Sequence, residues 1–577
     1  MSTTQDRPAE TDGGRKPFYS TVAPAVFIPS VVILAAVVVF SIAAPSATEN
    51  ALTAAQNSVI AGVGWYYVLL VSGFVIFAIV MGLSRFGDIT LGKDDEKPEF
   101  SLPAWFAMLF AAGMGIGLVF WGAAEPLTFF VDPKPGTTGD SADLANSAMT
   151  QVFLHWGFHA WSIYVVVGLA MAYAIHRKGR SVSLRWTIEP LVGDRAKGRL
   201  GDVVDVIAVV GTVAGVATSL GLGVQQITAG LARIGIVDEP TDGLRVGVIV
   251  AITAIAIVSV VSGVSRGIKW LSNGNLILAG VFLVLILALG PTLFLLRDFV
   301  QNIGNYLASI VSLSFNTSAL QGPEGVEWQG FWTTFYWGWW MSWAPFVGVF
   351  IARISRGRTI REFVAGVLLV PTLVTTLWFT VLGGTAIMRQ MGEADLLNDD
   401  GSITSENVLF DLLYTLPASE LLAGIAIILV TIFFITSADS GSLVVDMLAS
   451  GGRQDPPRWS RIMWAVLTGA VAIGLLLAGG LQALQTGAIL TAVPFSVVMI
   501  LMAVATYRAL SSEHREIVRL ARRAREREWQ RELSGQVAEE LVDNFEEHLA
   551  DPVDERIDHA LKNGKNGKGG KRWGDRS

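Results

Sequence analysis

Apolar runs long enough to cross a membrane recur along most of this chain, separated by short polar loops. A helix of about 20 apolar residues spans the ~30 Å hydrocarbon core of a bilayer. Runs of that kind predict about twelve spans, near residues 23–44, 60–83, 103–130, 148–175, 202–222, 243–263, 275–297, 331–353, 362–388, 420–440, 461–480 and 485–507. The ~10-residue alternating segments of a transmembrane barrel are missing. The expected fold class is therefore an all-α polytopic membrane protein. The first run is too long for a signal-peptide core and lacks a cleavage site, so it reads as a retained helix. Between the seventh and eighth spans, "RDFVQNIGNYLASIVSLSF" (297–315) has the pattern of an amphipathic helix at the interface.

Composition agrees with that pattern. The chain has 577 residues, 52% hydrophobic and 16% charged, with a mean hydropathy of +0.51. This is too apolar for a soluble protein of its size. It has no cysteine, which excludes disulfides and thiolate-held metals. The net charge of −7 says little, because the charges lie mostly in loops and tails; no nucleic-acid partner is expected. Orientation follows from the basic residues of short loops. The loop after span four carries Arg177, Lys178, Arg180, Arg185, Arg195, Lys197 and Arg199, and the loop after span eight carries Arg353, Arg356, Arg358 and Arg361. Spans six and ten are followed by Arg266 and Lys269, and by Arg453, Arg458 and Arg461. Loops after odd spans are poor in basic residues, and 390–410 is acidic. Both termini should thus be cytoplasmic, with the chain in the plasma membrane.

The tails differ from the core. Residues 1–17 are polar, with the composition of a disordered segment. Seven arginines occupy 515–531, an acidic stretch runs from Glu532 to Asp558, and "KNGKNGKGGKR" (562–572) lies near the end. Few breakers occur before about residue 549, so this part should be helical. It is either a solvated tail or a regulatory arm whose basic face meets anionic lipid or a neighbouring subunit.

The chemistry concentrates in four stretches. The first is "FYWGWWMSWAPF" (335–346). A headgroup belt of indoles covers Trp337 at most. Trp340 and Trp343 share a helix face that Tyr336 extends, and Trp339 and Trp343 are four apart. Gly338 and Ala344–Pro345 suggest an irregular helix, tolerated where it lines a cavity. The second stretch, "HWGFHAWSIY" (155–164), adds Trp156, Trp161 and Tyr164. Aromatic faces around a small cavity suit a quaternary ammonium, which cannot donate hydrogen bonds. No acidic cage accompanies them, so the ligand should bring its own negative charge, as a betaine does; the competing reading is simple aromatic packing.

The third stretch is "AAGMGIGLVFWGAAEP" (111–126), where Gly113, Gly115 and Gly117 alternate. It is either a close-packed helix face or an unwound segment whose backbone groups meet substrate or ion. The fourth is "FFITSADSGS" (433–442). Thr436 and Ser437 are either bonded back to their own helix or ligands of a hard cation such as Na⁺. Asp439, inside or near a span, is a functional candidate.

These stretches resemble one family, the betaine/carnitine/choline transporters. The resemblance is carried by "WTTFYWGWW" (332–340) with "SWAPFVGVFIARISRGRTIREF" (342–363), and by "GMGIG" (113–117), "HWGFHAWSIY", "GTVAGVATSLGLGVQQI" (211–227) and "TSADSGS" (436–442). It covers roughly residues 20–510. It implies two inverted five-helix repeats (103–297 and 331–508) preceded by two extra helices (21–102), with the interfacial helix and loop at 298–330. Cytoplasmic tails (1–20 and 509–577) complete the chain, and a homotrimer forms with that helix at the subunit contact. It places the substrate box at Trp156, Trp161, Tyr164 and Trp340, with Met114, Gly115 and Ser219 also on substrate. It places Trp339 and Trp343 along the inward pathway and an outer gate at Phe335. A sodium site falls on the carbonyls of Ala111, Met114 and Phe433 and the hydroxyls of Thr436 and Ser437. A second sodium site would use Thr212 and Phe346, but Val216 stands where a second threonine belongs, and Thr218 falls on another face. Choline carriers of the family tend to have Asp at the position of Gly117, so a zwitterion is expected here.

Other classes fit less well. His155 and His159 are four apart, as metal ligands can be, but no third ligand or base accompanies them. A channel wants polar rings or carbonyl filters. The expectation is a transporter, not an enzyme: a secondary carrier of a compatible solute, with glycine betaine first. It works by alternating access with sodium as coupling ion, needs no cofactor, and answers to osmotic stress. The alternatives are ectoine, carnitine or choline moved by exchange or proton coupling, with Glu125 a candidate proton site, and a channel or osmosensing receptor.

Overall fold

The computed structural model describes residues 21–113, 115–262, 265–392, 394–548 and 550–564. Its helices are α1 (Pro24–Ala43), α2 (Pro45–Leu83), α3 (Leu102–Gly113), α4 (Ile116–Val131), α5 (Ser141–Trp156), α6 (Phe158–Ala172), α7 (Glu189–Val192), α8 (Arg199–Arg233) and α9 (Asp242–Ser262). They continue with α10 (Ser265–Leu289), α11 (Thr292–Ser314), α12 (Gly322–Gln329), α13 (Phe335–Ile354), α14 (Ile360–Met391), α15 (Ser405–Tyr414), α16 (Ser419–Ala449), α17 (Arg458–His548) and α18 (Ala550–Gly564). The chain divides into two units, Met1–Ala509 and Leu510–Ser577.

The boundaries follow local chemistry. Asp140 caps α5 by accepting from the amides of Ala142 and Asp143, and Asp143 answers from the third position. Thr359 and Glu362 do the same for α14. Within α17, Gly479 and Gly480 break the helical angles, with Gly480 at φ +59°, a conformation cheap only for glycine. That kink falls at the end of the expected span 461–480, ahead of the one at 485–507.

Among the described residues, nine helices are long and apolar enough to cross a membrane, or ten if the bent pair α3–α4 counts as one span. The protein is a multi-pass membrane protein. The expected span at 331–353 is helical, but its indoles and tyrosine lower its apolarity. Its irregularity also lies elsewhere than expected. Gly338 and Pro345 sit inside a continuous α13, while a π-helical turn at Gly330–Thr334 precedes it. The expected fourth span, by contrast, is broken at Gly157 into α5 and α6.

The centre is built from α4, α6, α8 and α13. Every residue of α6 from His159 to Ala172 is buried, and α13 packs against α6 and α8. The periphery exposes apolar side chains, such as Val32 on α1, Val258 on α9 and Ile277 on α10, as a lipid-facing surface does. The loops around Leu91, Arg177 and Arg358 meet. Leu91 and Arg358 exchange backbone bonds with their neighbours (Leu91 N to Arg358 O, 2.8 Å; Gly357 N to Leu91 O, 2.8 Å). Arg177 pairs with Asp94 at 2.6 Å, and Ala23 N donates to Ala449 O at 3.1 Å.

The second unit is helical over residues 510–548 and 550–564, and its described side chains from Arg515 to Phe545 are all exposed. Arg522 and Glu526 pair along it at 2.9 Å. The N-terminal tail (1–20) and the chain beyond 564 lie outside the described residues.

Candidate functional site

Rings spaced three and four apart on α13 form one column. Phe335 stacks on Trp339 (5.5 Å between centroids), Trp339 on Trp343 (6.3 Å) and Trp343 on Phe346 (5.7 Å), all within 16° of parallel. Trp340 lies beside it, stacked on Trp339 at 4.6 Å. Trp156, the last residue of α5, meets Trp340 edge-on at 4.8 Å. From α6, Trp161 meets Tyr164 at 5.3 Å, and Tyr164 meets Trp340 at 6.4 Å. Six aromatics named from the sequence (Trp156, Trp161, Tyr164, Trp339, Trp340 and Trp343) line one cavity with Gly115, Gly117, Leu118, Ala160 and Thr375. Its volume is about 30 Å³, room for little more than one water.

The polar edges of these rings divide into two sets. Trp156 Nε1 donates to Glu125 (2.7 Å) and Trp340 Nε1 to the His155 carbonyl (2.9 Å). Those two indoles therefore offer only their faces. Trp339 Nε1, Trp343 Nε1 and Tyr164 Oη are buried and have no partner among the described residues. A buried donor without an acceptor costs about 1–3 kcal/mol, so these three lining residues suit a ligand that supplies an acceptor.

Beneath the box sits a hub that the sequence reading did not resolve. Glu125, fully buried on α4, accepts from His155 Nδ1 (2.7 Å), Trp156 Nε1 (2.7 Å) and Tyr336 Oη (2.6 Å). His155 Nε2 meets Gln151 Nε2 at 3.1 Å and Thr333 Oγ1 at 3.0 Å. The amide of Gln151 donates there, so the imidazole carries its proton on Nδ1, facing Glu125. Thr375 Oγ1 donates to the Trp156 carbonyl at 3.1 Å. The one available signal was a carboxylate inside an apolar run.

The two histidines are spent separately. His155 belongs to the hub, and His159 Nε2 meets Ser314 Oγ at 2.9 Å. Trp337 is no belt residue. It is 2% exposed and stacks on His159 at 5.6 Å. Outside the box, Phe129 contacts Trp332 and Trp328 (4.8 and 5.2 Å). Lys134, in the loop after α4, lies 5.1 Å over the Trp328 ring and donates to Gln329 at 3.0 Å; burial pushes its ammonium down to about 8.

The glycine segment is broken, as one of its two readings expected. α3 ends at Gly113, α4 begins at Ile116, and Gly115 is extended (φ −152°, ψ −178°). A Cβ on Gly117 would stand 2.3 Å from Trp339 Cη2, and one on Gly115 3.5 Å from Trp343 Cη2. Met114 lies outside the described residues. Ala111 is in the last turn of α3. Across from this break, Gly223 of α8 packs between Ile116 and Phe434 (3.1 and 3.3 Å from an added Cβ). The Phe433–Ser437 stretch is thereby brought to the same region.

Thr436 Oγ1 donates back to the carbonyls of Ile432 (2.9 Å) and Phe433 (3.2 Å), which leaves its lone pairs free; Ser437 is half-buried. Asp439 is committed to Arg461 at 3.0 Å. Thr212 donates to Ala208 O (2.7 Å), Thr218 to Ala214 O and Leu484 O (2.9 Å each), and Ser219 to Gly215 O (3.2 Å). Val216 packs against Gly441, 3.0 Å from an added Cβ. Where a second threonine would belong there is an apolar contact.

Comparison with known proteins agrees with this architecture. A family profile described as "BCCT, betaine/carnitine/choline family transporter" matches residues 25–515. An uncharacterized transporter of Mycobacterium tuberculosis is 52% identical over 495 residues, 85% of this chain and 83% of its own length. The glycine betaine transporter OpuD of Bacillus subtilis is 43% identical over 493 residues, 85% of this chain and 95% of its own. A glycine betaine/proline/choline/ectoine transporter of Vibrio parahaemolyticus is 40% identical over 478 residues, 81% and 84% of the two chains.

Proposed function

The chain belongs to the betaine/carnitine/choline transporter family, and we propose that it imports a zwitterionic quaternary ammonium, glycine betaine first, by sodium-coupled alternating access. The observation that carries this is the two-sided box. Ring faces of Trp156, Trp340, Trp161 and Tyr164 suit the trimethylammonium, whose attraction to a desolvated indole is about 2 kcal/mol. The unpartnered donors of Trp339, Trp343 and Tyr164, with the uncapped N-terminus of α4 at Ile116, suit a carboxylate. Glu125, the carboxylate beneath the box, already has three donors, so it has little to offer a bare cation such as choline. Relatives named as glycine betaine transporters support the same choice.

Sodium binds at the carbonyls of Ala111, Met114 and Phe433 and the hydroxyls of Thr436 and Ser437. It orders the broken glycine segment, and the repeats 103–297 and 331–508 then rock about the site. Thr212 and Phe346, without a partner threonine at 216, make no second sodium site. Phe335 gates the outer side. The protein sits in the plasma membrane with both termini cytoplasmic. It is a homotrimer joined through the exposed face of α11, and its tail responds to osmotic stress through anionic lipid.

The test is glycine betaine uptake into proteoliposomes under an inward sodium gradient against an equal potassium gradient. Saturable, sodium-dependent uptake is expected, which a channel or receptor does not give. Uptake indifferent to sodium overturns the coupling and favours exchange or proton coupling; absence of betaine uptake turns the choice to ectoine, carnitine or choline. Alanine at both Thr436 and Ser437 should abolish the sodium dependence. Truncation after about residue 515 should flatten the activation curve against osmolality, and an unchanged curve removes the tail as sensor.

A further inference from the structure

We infer that Tyr306, on the amphipathic helix α11, is a positioning residue for the substrate site, acting through the break between α5 and α6. The inference rests on the substrate reading above. The break falls inside the box: Trp156 ends α5, while Trp161 and Tyr164 stand on α6. The angle between the two halves sets how far Trp156 lies from the other two rings.

The break is chemically incomplete by itself. α6 begins at Phe158, and amides in a first helical turn have no acceptor within the helix. Gly157 occupies the capping position, where its carbonyl accepts from Trp161 N at 3.2 Å, but it has no side chain to accept from the orphan amides. The acceptor comes from α11: Phe158 N donates to Tyr306 Oη at 3.2 Å. A Cβ on Gly157 would stand 2.8 Å from that hydroxyl, so the glycine leaves the space through which the tyrosine reaches. The Tyr306 ring is buried, stacked on Phe158 (5.9 Å) and edge-on to Phe153 (6.0 Å), one ring from each side of the break.

The rest of α11 holds the same two halves. Gln301 Nε2 and Asn305 Nδ2 donate to Asn146 Oδ1 of α5 (2.9 and 3.0 Å). Ser314 meets His159 of α6, and His159 lies under Trp337. One helix therefore ties both halves and caps the gap between them. A change of angle at Gly157 must loosen a contact to α11.

The experiment uses the full chain in proteoliposomes with Tyr306→Phe, which keeps the ring and removes the acceptor. Hydrogen exchange of peptides covering 154–162, read without substrate, should quicken roughly fivefold, the effect of losing one cap. Glycine betaine KM should rise by roughly the same factor with Vmax within about twofold. Val258→Ala, on the exposed face of α9, should change neither. Unaltered exchange overturns the capping role, and faster exchange with unaltered KM overturns the positioning role. If Tyr306→Phe does not reach the membrane, Tyr306→Leu, which removes the same acceptor, carries the same expectations and the same refutations. If the wild-type chain takes up no glycine betaine, the substrate reading fails alone; exchange, and KM for the solute it does carry, still decide the role of Tyr306.

Discussion

Replacing Glu125 by glutamine is expected to lower glycine betaine kcat/KM at least tenfold while the protein still folds. Three donors converge on this carboxylate. Hydrogen bonds to a charged group contribute about 1.5–3 kcal/mol, against about 0.5–1.5 for neutral ones. Glutamine keeps the shape and one acceptor oxygen, which can serve Trp156 and Tyr336 as before. Its amide then faces His155, which relaxes by moving its proton to Nε2, where Thr333 can turn to accept once the Gln151 amide turns its N–H away. The fold survives, but the charged bonds that fix the Trp156 and Tyr336 rings are gone. A loss of only ~1.4 kcal/mol is tenfold. Initial uptake rates measured beside thermal unfolding check this; an unchanged rate means the carboxyl does not act as a charged hub. Glu125→Ala is a different experiment. It leaves three buried donors without an acceptor at about 1–3 kcal/mol each, enough to threaten a net stability of about 5–15 kcal/mol.

Alanine at Gly117 should cut uptake to below about a tenth, by steric conflict rather than chemistry. The added carbon would stand 2.3 Å from Trp339 Cη2, where carbon atoms prefer about 3.5–4.0 Å. The ring cannot yield cheaply, because it is stacked between Phe335 and Trp343 and against Trp340. Displacing it moves the wall of the box and one of its unpartnered donors. Aspartate, which the family resemblance places here in choline carriers, meets the same ring. Gly115→Ala is the matched control. Its carbon would lie 3.5 Å from Trp343, an ordinary contact, and should keep more than about half of the uptake. Equal losses at both positions would show that segment flexibility, not the Trp339 contact, explains the glycine.

Much of this was legible because helical spacing is regular. Trp339 and Trp343, and Trp161 and Tyr164, had to share faces, and they do. Which partners meet across long sequence distances was not legible. Glu125 joins residues 30 and 211 positions away, and Tyr306 reaches Phe158 across 148. Backbone irregularity was misread where proline and glycine were weighed by type alone. Pro345 lies within a continuous α13, since a helix packed on all sides can absorb one missing amide. Gly157, unremarked in an aromatic run, is the real break because α11 supplies what the broken backbone lacks. Trp337 looked like a belt residue from its place near the start of a span, but burial against two histidines decided otherwise.

The aromatic column also gives the protein its own optical probe. Stacked indoles 4.6 and 6.3 Å apart couple their near-ultraviolet transitions, so their circular dichroism depends on ring spacing and angle. Trp339, Trp340 and Trp343 line one cavity, so a solute that displaces any of these rings changes that spacing. The near-ultraviolet circular dichroism of the unlabelled chain therefore reads movement of these rings, and Trp343→Phe assigns the signal to the column among the 18 tryptophans present.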